Sequence, residues 1–423
     1  MLKRFLALAL TAFAAALGWC VLVFVTVSEG WLRQPLVETA EPAVFFRAVR
    51  EQLAAPHDGN ISFILLEAGE VAGEFHHSSG RPVDGDSLYQ VASLSKWLSA
   101  WGVMVLVQDG VVDLDAPVSR YLSRWELPPS AFDRDGVTAR RLLSHTAGLD
   151  DGLGYAGFES PGAVQSLEDS LAMAADASPG AAGAVRVARE PGSGWDYSGG
   201  GYTLLQLLVE EVSGLAFSDF MAARVFAPLG MTRTTFDHGE ALSLGVAENY
   251  RADGSIEPLR YYTAQAAASA FTSARDLTRF LQAQAPGERG AAETVLSRET
   301  QRLMRRPHAA QLGADIWGLG VMLYAPNNAG DFIIGHDGSN EPAINTAARL
   351  DPATGDGIVV LETGDPMLAT RIAGEWVFWK TGRVDSLSFA AAFDGMLKAM
   401  AAGLLVIVLA TLVLAWRGRR GAR

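Results

Sequence analysis

Two long apolar runs bracket this chain, and between them the spacing of hydrophobic residues switches between helical and alternating. Phe5 to Val27 holds no charged residue and follows Lys3 and Arg4; about 20 apolar residues suffice to cross the hydrocarbon core of a bilayer. Ala399 to Trp416 repeats the pattern at the far end, followed by Arg417, Arg419, Arg420 and Arg423. Lys and Arg concentrate on the cytoplasmic flanks of membrane helices. The pattern therefore predicts two spans, with both basic ends inside the cell and everything between them outside. A cleaved secretory signal has a shorter apolar region closed by a small-x-small site. Val25-Thr26-Val27-Ser28-Glu29 is a poor site of that kind, so an uncleaved anchor is expected.

Between the runs, Val44, Phe45, Ala48 and Leu53 recur at helical spacing, which predicts a helix over Glu41 to Leu53. Ile61 to Leu66 and Val71 to His77 read as strands joined by a turn at Glu67-Ala68-Gly69-Glu70. From Ser93 to about Phe236 the pattern is mainly helical, broken by a flexible loop over Ser178 to Ala184. Strand signals return at Phe332–Gly335, Ala343–Leu350 and Gly357–Glu362, and Pro366 to Lys380 reads as a closing helix. Ser386 to Met400 reads as an amphipathic juxtamembrane helix. Strands at both ends around a helical middle predict an α/β (α+β) fold. Its antiparallel sheet is built from both ends of the domain, flanked by helices, with an inserted all-α lobe. The expected organisation is 1–4 cytoplasmic, 5–27 first span, 28–57 linker and helix, and 58–381 folded domain. Residues 382–398 follow as a juxtamembrane segment, 399–416 as the second span and 417–423 as a basic tail.

Composition narrows the chemistry. At 423 residues and 49% hydrophobic, the chain can bury a large core. A net charge of −13 disfavours nucleic acid as a partner. The single cysteine, Cys20, lies in the first apolar run, so the exported part has no disulfide. The seven histidines form no H-x-x-x-H pair and there is no C-x-x-C, so no metal or other cofactor is expected. Neither a G-x-S-x-G elbow nor H-E-x-x-H occurs.

Ser93-Leu94-Ser95-Lys96 opens an apolar helical segment that continues to Val107. Residues three apart share a helix face, so the Ser93 hydroxyl and the Lys96 amine can meet. A serine becomes nucleophilic when a neighbouring base takes its proton, and a desolvated lysine can be that base. Downstream, Pro191 to Gly201 forms a glycine-rich loop before a second helical segment closed by Gly214. Tyr197 sits on this loop, where an ammonium nearby would lower its pKa and let it shuttle protons. A third motif, Gly335-His336-Asp337-Gly338-Ser339-Asn340, ends a buried strand in small residues that would let a substrate lie against the backbone.

Three such motifs in this order resemble the serine β-lactamase and penicillin-binding superfamily. The likeness extends to Asp86-Ser87-Leu88-Tyr89-Gln90-Val91-Ala92 before the serine and to Gly110 through Leu122. It continues at Leu142-Leu143-Ser144-His145-Thr146-Ala147-Gly148-Leu149, at Phe226 through Met231 and at Thr272 through Leu277, and covers roughly residues 58 to 381. The resemblance implies an outward-facing, membrane-anchored serine hydrolase working through an acyl-serine intermediate. Its substrate would be an amide or ester: a D-amino-acid peptide, an ester or a β-lactam-like compound, small or peptidoglycan-derived. The site implied is bacterial, at the inner membrane with the domain on the periplasmic side. Ser93 would be the nucleophile, and Lys96 with Tyr197 the proton-relay pair. The backbone N–H groups of Ser93 and Ser339 would form the oxyanion hole, with His336, Gly338 and Ser339 facing the substrate. His145 is read as holding a turn. Gly199 stands where the family usually has Asn, and His336-Asp337-Gly338 replaces K-T-G, weakening the site for a substrate carboxylate. The literal Lys380-Thr381-Gly382 follows a helical segment and is read as coincidence. The alternative is a non-catalytic domain on the same fold that binds or senses peptidoglycan or a β-lactam.

Overall fold

The computed structural model describes residues 2–54, 57–152, 154–286, 295–340 and 344–420. Eight strands make one antiparallel sheet. They are β1 (Asn60–Glu67), β2 (Glu70–Ser78), β3 (Ala309–Gln311), β4 (Ala314–Trp317), β5 (Met322–Pro326), β6 (Phe332–Asn340), β7 (Ile344–Leu350) and β8 (Gly357–Thr363). Their spatial order is β2-β1-β8-β7-β6-β5-β4-β3. Strands from opposite ends of the domain thus lie side by side, Asn60 opposite Thr363 and Leu66 opposite Gly357, as the hydrophobic pattern predicted.

Successive side chains of a strand point to opposite faces, and the two faces are covered by different parts of the chain. Phe63, Leu65, Ile358 and Val360 meet Phe45 and Val49 of the helix Pro42–Leu53, together with Ile372 and Trp376 of the helix Leu368–Thr381. Ile64, Leu66, Val359 and Leu361 face the larger core, which contains Trp97, Leu98 and Trp101 of the helix Ser95–Gln108. Phe280 wedges between the two tryptophans, 4.9 Å from each ring.

The structure departs from the sequence pattern in three places. Strand β6 runs five residues past Gly335, through His336-Asp337-Gly338-Ser339-Asn340. Glycine, aspartate and asparagine are poor strand formers, but pairing with β7 overrides propensity here. β7 begins at Ile344; Ala343, where that strand was expected to start, lies outside the described residues. The middle of the chain is helical over Ser95–Gln108 and Gly199–Ser213. Residues 144–198, by contrast, are mostly turns and single bridges, with short helical pieces. The expected juxtamembrane helix and second span are one helix, Ser386–Arg420.

Two stretches, Leu6–Ser28 and Ser386–Arg417, are long and apolar enough to cross a membrane. They pack on each other: Trp19 Nε1 donates to Ala399 O at 3.2 Å, and Phe24 meets Phe389 edge-on at 6.0 Å.

Candidate active site

The strand Leu88–Gln90 runs into a single 3-10 turn, Ala92–Leu94, before the helix Ser95–Gln108 begins. Ala92 takes φ +45°, a left-handed conformation uncommon outside glycine that costs about 1–3 kcal/mol. The turn is pinned where it is tightest. The Leu94 N–H and the Thr346 hydroxyl both donate to Val91 O at 3.1 Å. Ser93 therefore projects from the start of the helix, one turn before Lys96.

Lys96 is 1% exposed. Its amine donates to Ser93 Oγ at 3.2 Å and to Ala267 O at 2.8 Å. Among the described residues no carboxylate pairs with it. Burial pulls its pKa down to about 7, only partly opposed by the more distant charge of Asp151. The carbonyl that holds it belongs to an alanine-rich segment tied to the same helix twice more. Ser99 Oγ donates to Ala266 O at 2.9 Å, and the Ala270 N–H donates to Ser95 Oγ at 2.9 Å.

Tyr197 stands beside Ser93, and its ring lies 4.9 Å from Lys96 Nζ. Burial raises this phenol well above its ordinary pKa, the reverse of the lowering expected from a neighbouring ammonium. Desolvation outweighs the attraction of an amine that is itself losing its charge. The Tyr197 loop is held by His145. Its carbonyl accepts the Asp196 N–H at 2.8 Å, its Nδ1 accepts the Ser198 N–H at 3.0 Å, and its ring lies 4.4 Å from that of Tyr197. Asp151, which the sequence reading passed over, accepts from Ser198 Oγ and from the Gly200 N–H at 2.6 Å. It thereby anchors the first turn of the helix Gly199–Ser213, where a carboxylate is favoured by the unpaired N–H groups.

Strand β6 brings the third motif against the Ala92–Leu94 turn that carries Ser93. A Cβ on Gly338 would sit 2.0 Å from Val91 O and 3.1 Å from the Leu94 N, so only glycine permits this approach. Ser339 is exposed and lines a cleft of about 460 Å³ with Ser93, Lys96, Tyr155, Ser178 and Asn340. His336 does not line it. That ring is 1% exposed, stands edge-on to Trp317 at 5.4 Å, and bonds through Nδ1 to Asp337 O at 2.6 Å. Burial, with the nearby Lys96, drives its pKa down to about 3. The placement does not match the expectation that His336 faces the substrate: the ring is buried and does not line the cleft.

The position of the family asparagine is also filled. A Cβ on Gly199 would lie 2.9 Å from the Tyr155 ring. The Tyr155 hydroxyl is hydrogen-bonded to Thr203 Oγ1 at 2.8 Å. No sequence motif marks Tyr155, Thr346 or the Ala267 carbonyl, because each acts through shape or backbone. Lys380 lies elsewhere, paired with Glu67 and Asp356 at 2.9 Å each, and Gly382 caps its helix.

The profile of the Beta-lactamase family matches residues 45–377. The chain belongs to that family, and with it to the serine β-lactamase and penicillin-binding superfamily of serine hydrolases. It is 34% identical over 195 residues to penicillin-binding protein 4* of Bacillus subtilis, an alignment covering 44% of this chain and 39% of that protein. With the esterase EstB of Burkholderia gladioli it shares 31% over 229 residues, 52% of this chain and 55% of the esterase. The matches thus span well under two thirds of either relative. Among solved structures, the octameric penicillin-binding protein homologue from Pyrococcus abyssi superposes with a TM-score of 0.65 at 25% identity. That superposition covers 81% of this chain and 78% of the homologue.

Proposed function

We propose that this chain is a membrane-anchored serine hydrolase that forms an acyl-Ser93 intermediate on an amide or ester. One observation carries the reading: a buried amine without a counter-ion, 3.2 Å from the Ser93 hydroxyl. With its pKa near 7, Lys96 is neutral in a large share of molecules at physiological pH and can take the Ser93 proton. Ser93 Oγ then bonds to the substrate carbonyl carbon, and the N–H groups of Ser93 and Ser339 receive the oxyanion. As the bond to the leaving group breaks, the protonated Tyr197 donates to it and is reprotonated from Lys96. Water, activated by the same pair in reverse, releases the acid and frees Ser93. Penicillin-binding and esterase relatives support both amide and ester as substrate bonds.

In this reading residues 58–381 form the catalytic domain, 5–27 and 399–416 are the spans, and both termini are cytoplasmic. The two long apolar helices and the basic residues beyond them support it. A fluorescent fluorophosphonate should label the detergent-solubilised protein at Ser93, and Ser93→Ala should abolish the label. Persistent labelling of Ser93→Ala would sink the assignment. Reporters active only outside the cytoplasm should work when fused near Gly254 and fail after Arg423; activity after Arg423 would overturn the topology.

A further inference from the structure

Among the described residues the cleft is charge-poor, and its walls show what it admits. Resting on the acyl-serine reading above, we infer that this site acts on acyl compounds lacking a carboxylate near the scissile bond, with Tyr155 as a specificity-determining residue. Three observations meet here. First, Lys96 is the one basic residue on the cleft lining among the described residues, and both its contacts are spent on Ser93 and Ala267. Second, the strand position that would present a cation holds His336, whose ring is buried edge-on to Trp317 and does not line the cleft. Third, the place of a side-chain amide at residue 199 is taken by the Tyr155 ring.

Tyr155 is not free to swing away. Its hydroxyl is held by Thr203 at 2.8 Å, its carbonyl accepts from Asn340 Nδ2 at 3.4 Å, and its backbone bridges Ala177. Ala156, Pro179 and Ala268 complete an apolar wall beside it. The titratable groups behind the wall are acids, both pushed up by burial. Asp151 lies under the Gly199 turn, and Asp176 is buried next to Tyr155 and Tyr262. Arg260, the nearby cation, is committed to Glu257 and Glu159. A substrate carboxylate would lose water here and find no counter-charge, whereas an uncharged acyl group would pack on the Tyr155 face.

The test compares one chromogenic cephalosporin as free acid and as methyl ester on the same enzyme. A hydrogen bond to a charged group contributes about 1.5–3 kcal/mol, so the ester should exceed the acid in kcat/KM by roughly 10- to 100-fold. That ratio should stay flat from pH 7 to 8, because Lys96 acts on both substrates alike and Asp176, pushed up to about 6, has already lost its proton. Ser178→Lys, which adds a cation at the rim, should raise the rate on the acid alone. The double variant Tyr155→Gly with Gly199→Asn should shift preference the same way. An acid hydrolysed as fast as its ester, or a ratio that changes over that pH window, would overturn the inference. If fluorophosphonate failed to label Ser93 at all, the acyl-serine reading itself would fall, which keeps the two failures apart.

Discussion

Lys96 and Arg349 are both buried cations beside strand β6, on opposite faces of it, and their surroundings differ in one respect. Arg349 is fully buried between two acids, its Nη2 3.1 Å from Asp337 and its Nη1 3.1 Å from Asp385. Its guanidinium also stacks 4.0 Å over the Tyr324 ring. Burial opposes its charge, and the two carboxylates overcome that and hold it above its ordinary pKa. Lys96 meets only a hydroxyl, a carbonyl and aromatic faces, and its pKa falls to about 7. The neighbours His336 and Asp337 point to these two sides, one toward the lysine and the other to the arginine. A cation given partners keeps its charge; one denied them gives up its proton near neutral pH.

The contrast can be broken from either side. Removing the base should have the largest effect: Lys96→Ala should slow Ser93 acylation by about 10² to 10⁴-fold, read as the labelling rate with a fluorophosphonate. Arg349→Met leaves two buried carboxylates unpaired and should cost about 3–5 kcal/mol of stability, seen as a drop in thermal midpoint in detergent. Acylation by an uncharged ester should fall about tenfold per pH unit below 7 and plateau above it, as Lys96 protonates. A profile without a bend near pH 7 would mean that another group is the base. The last effect is on how stability varies with pH. Unfolded, Lys96 stays charged up to its ordinary 10.5, but folded it loses its proton above about 7. The unfolded chain therefore binds more protons between those values, and the penalty grows as pH falls, reaching its full size below 7. Lys96→Met should raise the midpoint, and by more at pH 6 than at pH 9.

The sequence made the sheet from two ends legible because strands β1, β2, β7 and β8 alternate or run apolar between clear turns. It exposed Ser93, Lys96 and Tyr197 as candidates because hydroxyl, amine and phenol sit at fixed spacing from glycine and apolar neighbours. Strand β6 past Gly335 was hidden, since its residues favour turns and only pairing with β7 extends them. The charge state of His336 was hidden too. Its burial behind Trp317 depends on β4, a strand of four residues with no periodic signal. Tyr155 lies in a stretch without regular structure, and its role comes from the space above Gly199 rather than from any pattern.

Asp385 has a practical consequence for anyone wishing to separate the folded domain from the long apolar helix Ser386–Arg420. This residue both neutralises Arg349 and caps the C-terminal helix, accepting the Leu387 and Ser388 N–H groups at 2.9 Å. A protease cut, or a stop codon, placed at the apparent domain edge near Gly382 would remove it and leave the guanidinium half-paired inside the sheet. A fragment cut a turn later, beyond Ser388, keeps the cap and with it both partners of the buried guanidinium.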